Sequence, residues 1–421
     1  MNIGLLGFDD SISPLVVAAR REGSRIAVAA DLPTDVSRGM AIDATDAPRE
    51  VSWEALLDPG TCDVIFVGAD GWHEGRAEAV RKLVQAGRPL VLSQPLESSM
   101  LYAYELDMIR RDSAATLIPF LPDRLHPFIG RLRDWIGERL PNDGVESITF
   151  ERRLADRSRD NVLRWFCRDA DLIRLLAGAP GRLSTLGAAD PSTAWSTLAV
   201  GLTTPGHPPA RWQVVRGDTP GLSITAVAAD ARVTIEVPGV LSLEAGGRAP
   251  SHSPVAPLSW TWHGPDGTAS VPFDRGAVIL GVVRDALASG PTHTDPGPAS
   301  WDDAARGVEL AETVPRSLAK GRGIDLHQEE FTEIGTFKGT MASLGCGIVL
   351  LALAMVVVAT VLGGIARQTG WEWGEHLAGI WPLIVLGAMG LFLLLQFLPL
   401  LIATHPSEAE PPVSPGKPGK P

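Results

Sequence analysis

Two long stretches near the C-terminal end of this 421-residue chain carry no charged side chain, and no other feature restricts the fold as much. Residues 342–366 are dominated by Leu, Val, Ile, Ala and Gly, and residues 377–404 are equally free of Asp, Glu, Lys and Arg. At 1.5 Å per residue, each helix is long enough to cross a hydrocarbon layer of about 30 Å. A core helix of a soluble domain rarely runs so far without a polar face. Trp371, Trp373 and Trp381 surround the connecting loop, where an interfacial aromatic belt is expected. Gly345, Gly347, Gly363 and Gly364 permit close helix packing, so a transmembrane helical hairpin is expected. Lys338 precedes the first span, with Arg316, Lys320 and Arg322 upstream, and Lys417 and Lys420 follow the second. The loop holds Arg367 beside Glu372 and Glu375. This basic excess on the outer flanks puts both termini in the cytosol. The opening MNIGLLGFDD has no basic start and is broken by Asp9 and Asp10, unlike a secretory leader. The expected location is therefore the inner (cytoplasmic) membrane, with the lipid bilayer as a partner.

The net charge of −12 excludes the basic field of a general nucleic-acid binder. Cys62, Cys167 and Cys346 are too few for a disulfide scaffold, and no Cys/His cluster indicates a metal, so none is expected. Up to residue 122, short apolar runs alternate with helical patterns. Strands are expected at 1–6, 25–30, 63–67 and 89–92, and helices at 74–86 and 102–112. A further helix starts at Ser13-Pro14, with Ser13 as cap. Such alternation implies a parallel sheet with crossover helices, here a Rossmann-like domain over 1–122. From 123 to 325 the pattern becomes α+β with a mostly antiparallel sheet: strands at 147–153, 194–202, 211–216, 222–228 and 232–237, and helices at 161–176, 276–288 and 300–319. A juxtamembrane linker (326–341) and a disordered, Pro-rich tail (405–421) complete the expected organisation.

In its order and spacing of elements, the chain resembles the Gfo/Idh/MocA family of nicotinamide-dependent oxidoreductases over residues 1–325. NIGLLGF matches that family's first strand and first glycine. The stretch from Asp63 to Leu96 tracks its third unit, Arg124-x-x-Pro127 a recurring element after the next strand, and RDADLIRLLAG the helix that follows its catalytic pair. WDDAARGVELAETVPRSLAKGRGIDL matches its closing helix most specifically. The resemblance implies NAD as cofactor, an oxidoreductase activity on a sugar or polyol, and a homo-oligomer.

The residues depart from that family where chemistry is done. A dinucleotide fingerprint needs glycines so that the pyrophosphate can approach backbone at a helix N-terminus. Here the six positions from Gly7 read Gly-Phe-Asp-Asp-Ser-Ile, and only Gly7 remains. A carboxylate about 5 Å from a phosphate costs roughly 3 kcal/mol at an effective dielectric of about 20. Asp9 and Asp10 are instead expected to cap the helix and fill the anion site, leaving NAD binding weak or absent. Asp31, near the position that holds a ribose hydroxyl, together with Gly7, His73 and Pro95, completes the candidate cofactor set. By the resemblance, Gln94 stands where a catalytic Lys would be, and Arg164 and Arg168 stand at the acid-base Asp and His. Gln94 has no ammonium proton to give, and a guanidinium does not deprotonate. No confident catalytic residue remains, although a shifted alignment would bring in Asp169 or Asp171.

Arg164 and Arg168 share one helix face and suit an anion; in the plainer alternative they pair with Asp160, Asp169 or Asp171. Three functions compete. One is a degenerate, membrane-anchored member of the family that binds a sugar-like or anionic ligand or a partner. Another is an active NAD-dependent enzyme, and the third a membrane docking protein.

Overall fold

The computed structural model describes residues 1–33, 36, 48–140, 144–188, 193–239, 258–289 and 299–326, and single residues between 355 and 380. Most of the expected spans at 342–366 and 377–404, the linker and the tail lie outside the described residues. Within the first span, Met355, Val357, Val358, Val361 and Ile365 are helical, with exposed apolar side chains. Among the described residues, no helix is long and apolar enough to cross a membrane. The chain divides into two units, Met1–His327 and Gln328–Pro421. The first unit holds two β-sheets and the helices that cover them.

The first 119 residues wind a parallel sheet: β1 (Asn2–Leu6), α1 (Ser13–Arg21), β2 (Arg25–Ala30), β3 (Arg49–Glu50), β4 (Val64–Val67), α2 (Glu74–Gln85), β5 (Leu90–Leu92), α3 (Met100–Ser113) and β6 (Leu117–Pro119). The strand order is β3-β2-β1-β4-β5-β6, all parallel. Its strands are continuous apolar runs because helices bury both faces. Leu6, Ile65, Val67, Leu90 and Leu92 face one core, under α2 and α3. Ile3, Leu5, Phe66 and Val91 face the other, under α1.

The chain then forms α4 (Pro127–Arg139), β7 (Val145–Leu154), α5 (Arg159–Ala177), β8 (Arg182–Leu186), β9 (Ala199–Thr203), β10 (Ala210–Arg216), β11 (Gly221–Ala228), β12 (Arg232–Pro238), β13 (Leu258–Gly264), β14 (Gly267–Phe273), α6 (Arg275–Ser289), α7 (Trp301–Lys320) and β15 (Ile324–Asp325). These strands make a nine-stranded sheet, β14-β13-β12-β11-β7-β10-β9-β8-β15, antiparallel except for β7 with β10. The alternating burial along β7, β11 and β12 marks a sheet with one covered face. Trp212, Trp260, Trp262, Phe150 and Phe166 fill the core beneath it. Two helices return toward the first sheet: Ile279, Leu280, Val283 and Ala286 of α6 complete the core against α1, and Trp301, Ala304 and Ala305 of α7 join the other.

The expected strand over 194–202 divides into a short 3-10 turn at Ala194–Thr197 and β9, and α4 and the β13–β14 hairpin are additions. The expected cap is also corrected. Ser13 is the first helical residue, Ile12 holds the cap position without a side-chain bond, and the acceptor comes from Asp9.

Candidate functional site

Asp9, 3% exposed, is the centre of the turn between β1 and α1. Its Oδ1 accepts from the backbone N–H groups of Ser11 (2.8 Å) and Ile12 (3.2 Å) and from the Ser11 hydroxyl. Its Oδ2 accepts from the Ala69 N–H at 2.6 Å. That last bond requires β1 and β4 to end almost in contact. A Cβ on Gly68 would lie 2.3 Å from the Phe8 Cα, so glycine is the residue that fits there. Burial pushes the Asp9 carboxyl up, but the Arg168 charge and the bonds from Ser11, Ser93 and Ala69 more than offset it and hold the group below its ordinary range. The turn N–H groups of Ser11 and Ile12, just ahead of α1, are thus spent on the chain's own carboxylate.

A second side chain, unforeseen from the sequence, fills the neighbouring space. Arg76, at the start of α2 and 3% exposed, lies across the turn so closely that a Cβ on Gly7 (φ +66°) would meet its Cζ at 2.5 Å. Its Nη1 donates to the carbonyls of Gly68 (3.1 Å) and Asp70 (2.6 Å), and its Nε to Asp31 Oδ2 at 2.6 Å. The same Asp31 oxygen lies 2.9 Å from His73 Nε2. His73 Nδ1 accepts from the Arg76 N–H and caps α2, so in a neutral ring Nε2 is the donor to Asp31. Asp31 itself sits in the left-handed region, at φ 55°. Gly7, Asp31 and His73 are therefore together as expected, but Arg76 is among them. As they stand, these residues do not fit a dinucleotide. Asp9 takes the Ser11, Ile12 and Ala69 N–H groups that a pyrophosphate could use, and Arg76 and His73 take one of the two carboxylate oxygens of Asp31.

Gln94 and Pro95, joined by a cis peptide bond, lie just beyond β5. Gln94 is buried, and its Nε2 donates to the Ala304 carbonyl at 2.8 Å and toward Cys167 Sγ at 3.7 Å. It ties the loop to α7. Burial pushes the Cys167 thiol up to about 12 despite Arg168 beside it, so the thiol stays protonated. Arg168 donates from Nε to the Gln94 carbonyl at 2.6 Å, whereas Arg164 pairs with Asp70 at 3.1 Å. Neither arginine meets Asp160, Asp169 or Asp171. Two of those aspartates face other groups: Asp169 takes both Arg152 and the Trp212 Nε1–H (2.8 Å), and Asp171 has Arg124 at 3.5 Å.

The stretches that carry the family resemblance meet in one place. Arg124, next to α4, and Arg174 on α5 both donate to the Asp303 carboxylate of α7, each at 2.9 Å. Asp303 also accepts from the Ser300 N–H and completes a capping box. These motifs thus form a structural clasp among α5, α7 and the segment before α4.

Between the sheets lies a cavity of about 80 Å³, lined by Ser11, Arg152, Trp165, Arg168, Asp171 and Arg275 among others. Arg152 and Arg168 lie over the Trp165 ring, at 4.3 and 5.1 Å from its centroid. Burial pushes the Asp171 carboxyl up to about 7, partly offset by Arg124 and reinforced by Asp303.

No protein-family model matches the chain, and no curated protein matches it in sequence. Solved structures do match. Levoglucosan dehydrogenase, solved with NADH, superposes with a TM-score of 0.59 at 13% identity over 78% of this chain and 99% of its own. The aldose-aldose oxidoreductase of Caulobacter crescentus, solved with glycerol, does so at 0.59 and 13% over 77% and 99%. The first 327 residues share the fold of these oxidoreductases, a Rossmann-like parallel sheet joined to a second, mixed sheet.

Proposed function

We propose that this chain is a Gfo/Idh/MocA-type protein anchored at the cytosolic face of a membrane by residues 342–366 and 377–404. It keeps the ligand pocket between its two sheets and performs no hydride transfer. The observation that carries this reading is the Asp9 carboxylate, bonded to Ser11, Ile12 and Ala69 where a dinucleotide phosphate would lie. Arg76 over Gly7, and the absence of an ionisable acid-base pair at Gln94, Arg164 and Arg168, support it.

The competing reading, an NAD-dependent oxidoreductase of a sugar or polyol, draws on the neighbour solved with NADH. Titrating the full-length chain in detergent with NAD, NADH, NADP and NADPH decides between them. The expected result is no binding tighter than about 1 mM, and micromolar binding of any of the four overturns the proposal. The anchor is tested separately. A cysteine placed at Thr369 should react with an impermeant thiol reagent on intact cells, and labelling of a cysteine at Ser414 in its stead reverses the proposed topology.

A further inference from the structure

We infer that the cavity between the sheets takes a monocarboxylate with an apolar body, its carboxylate on the free edge of the Arg168 guanidinium. This rests on the proposed function, in which the pocket is kept without a cofactor, and it names the ligand class.

The charged groups around the cavity are matched one by one, and a single positive charge remains. Asp169 is held by Arg152 on both oxygens and by the Trp212 N–H. Asp123 is held on both oxygens by Arg275. Asp171 faces Arg124 at 3.5 Å, and Asp10 has a contact of its own. Arg164, one turn before Arg168, is taken by Asp70 and does not line the cavity. Arg168 does line it, and among the described residues no carboxylate comes within ion-pair distance of its guanidinium. Asp9 is close enough to be felt by that charge, but its oxygens are already held by Ser11, Ile12 and Ala69.

The guanidinium is fixed on two sides and free on the third. Its face lies over Trp165, 5.1 Å from the ring centroid, and its Nε–H goes to the Gln94 carbonyl at 2.6 Å. The two Nη groups have no hydrogen-bond partner among the described residues, and both remain accessible. Burial pulls this guanidinium below its ordinary range; Asp9 offsets part of that, and Arg164 and Arg152 add to it. The group stays charged, so an arriving anion relieves a cost that the fold bears.

The leftover charge and the wall together set the ligand's chemistry. The free edge suits a carboxylate, held by two parallel bonds in the guanidinium plane. A phosphate dianion needs a second cation or a turn N–H, but Arg152 and Arg275 are spent on aspartates and the Ser11 N–H on Asp9. The rest of the wall is mostly apolar, built from Pro14, Phe120, Leu121, Leu172 and Pro238 among others. Such a wall rewards methylene groups and gives sugar hydroxyls few side-chain partners.

The test is calorimetry on the full-length chain in detergent, with butyrate, acetate, butyramide, gluconate and inorganic phosphate as probes and NADH titrated alone. Each isotherm is corrected with protein-free detergent. Butyrate should bind about tenfold tighter than acetate, for its two extra methylene groups. It should also bind at least about tenfold tighter than butyramide, which has the same shape without the charge. Arg168→Gln should weaken butyrate about tenfold or more and leave butyramide where it is, and Arg168→Lys, which keeps the charge without the fork, should fall between. Arg164→Gln, outside the cavity, should leave butyrate within about threefold. The comparison of butyrate with butyramide needs no variant, so it stands even where Arg168→Gln fails to fold. Equal affinity for those two overturns the charge contact. Tighter binding of gluconate or phosphate than of butyrate overturns the apolar class, and no butyrate binding at about 10 mM overturns the site. Micromolar NADH binding overturns instead the function on which it rests, whatever the acids do.

Discussion

The turn around Asp9 and the cavity beside Arg168 are neighbours across the same cleft, yet they are opposites in how their polar groups are satisfied. At the turn, the N–H groups of Ser11, Ile12 and Ala69 are bonded to Asp9, and Arg76 and His73 hold one carboxylate oxygen of Asp31. At the cavity, among the described residues, the Arg168 guanidinium lacks a carboxylate, and behind it one oxygen of the Asp171 carboxyl faces Arg124 at 3.5 Å without a hydrogen bond. Both sites are polar and buried, but one is closed by its own residues and the other is incomplete.

Removing the group that closes the turn should have the largest effect. Asp9→Ala strands three backbone N–H groups and leaves Arg168 without its compensating field, and a loss of about 3–5 kcal/mol in urea unfolding is expected. A loss under about 1 kcal/mol would mean that the carboxylate is a bystander.

The incomplete site predicts the opposite sign. Because burial raises the Asp171 carboxyl to about 7 from an unfolded value of 3.8, the folded protein holds that proton more tightly than the unfolded one. Its contribution is intact below about pH 4 and is lost as the pH climbs through about 7. Asp171→Asn should therefore leave the melting temperature near that of the parent at pH 4 and raise stability at pH 8, by up to about 4 kcal/mol. A variant less stable at pH 8 would show that the Arg124 contact outweighs burial.

The smallest effect is expected at Arg164, whose pair with Asp70 is nearly half exposed on both sides. Arg164→Ala should change stability by no more than about 1 kcal/mol, and a larger loss would make this pair a latch between the two sheets.

The parts of this contrast differ in how far the sequence betrays them. Asp9 is legible because its position, two residues past Gly7 and just ahead of a helix, already implies an acceptor at an N-terminus. The identity of the cap is deceptive: Ser13 has the right chemistry, but the helix already starts at Ser13, and the Leu15 and Val16 N–H groups donate to the Ile12 carbonyl. Arg76 is not legible. It sits in an ordinary amphipathic helix, and only the closure of β1, β2 and β4 into one sheet end brings it to Asp31. The partner of Arg164 is likewise invisible, since Asp70 lies on another domain's loop and the nearby aspartates are the only local candidates. Strands with strong periodicity, such as β2 and β11, are plain. The β13–β14 hairpin carries an Asp266-Gly267 turn signal, but the patterns upstream of it are stronger and mask it.

The return of α6 to the first sheet sets a timetable for the nascent chain. The apolar face formed by Ile3, Leu5, Phe66 and Val91 is finished only when Ile279, Leu280 and Val283 arrive. The last strand of that sheet ends at Pro119, so at about 5–20 residues per second the ribosome needs roughly 8 to 30 seconds to deliver the cover. During that interval α1 alone covers that face of the emerging parallel sheet, and the part that α6 will bury stays open to water.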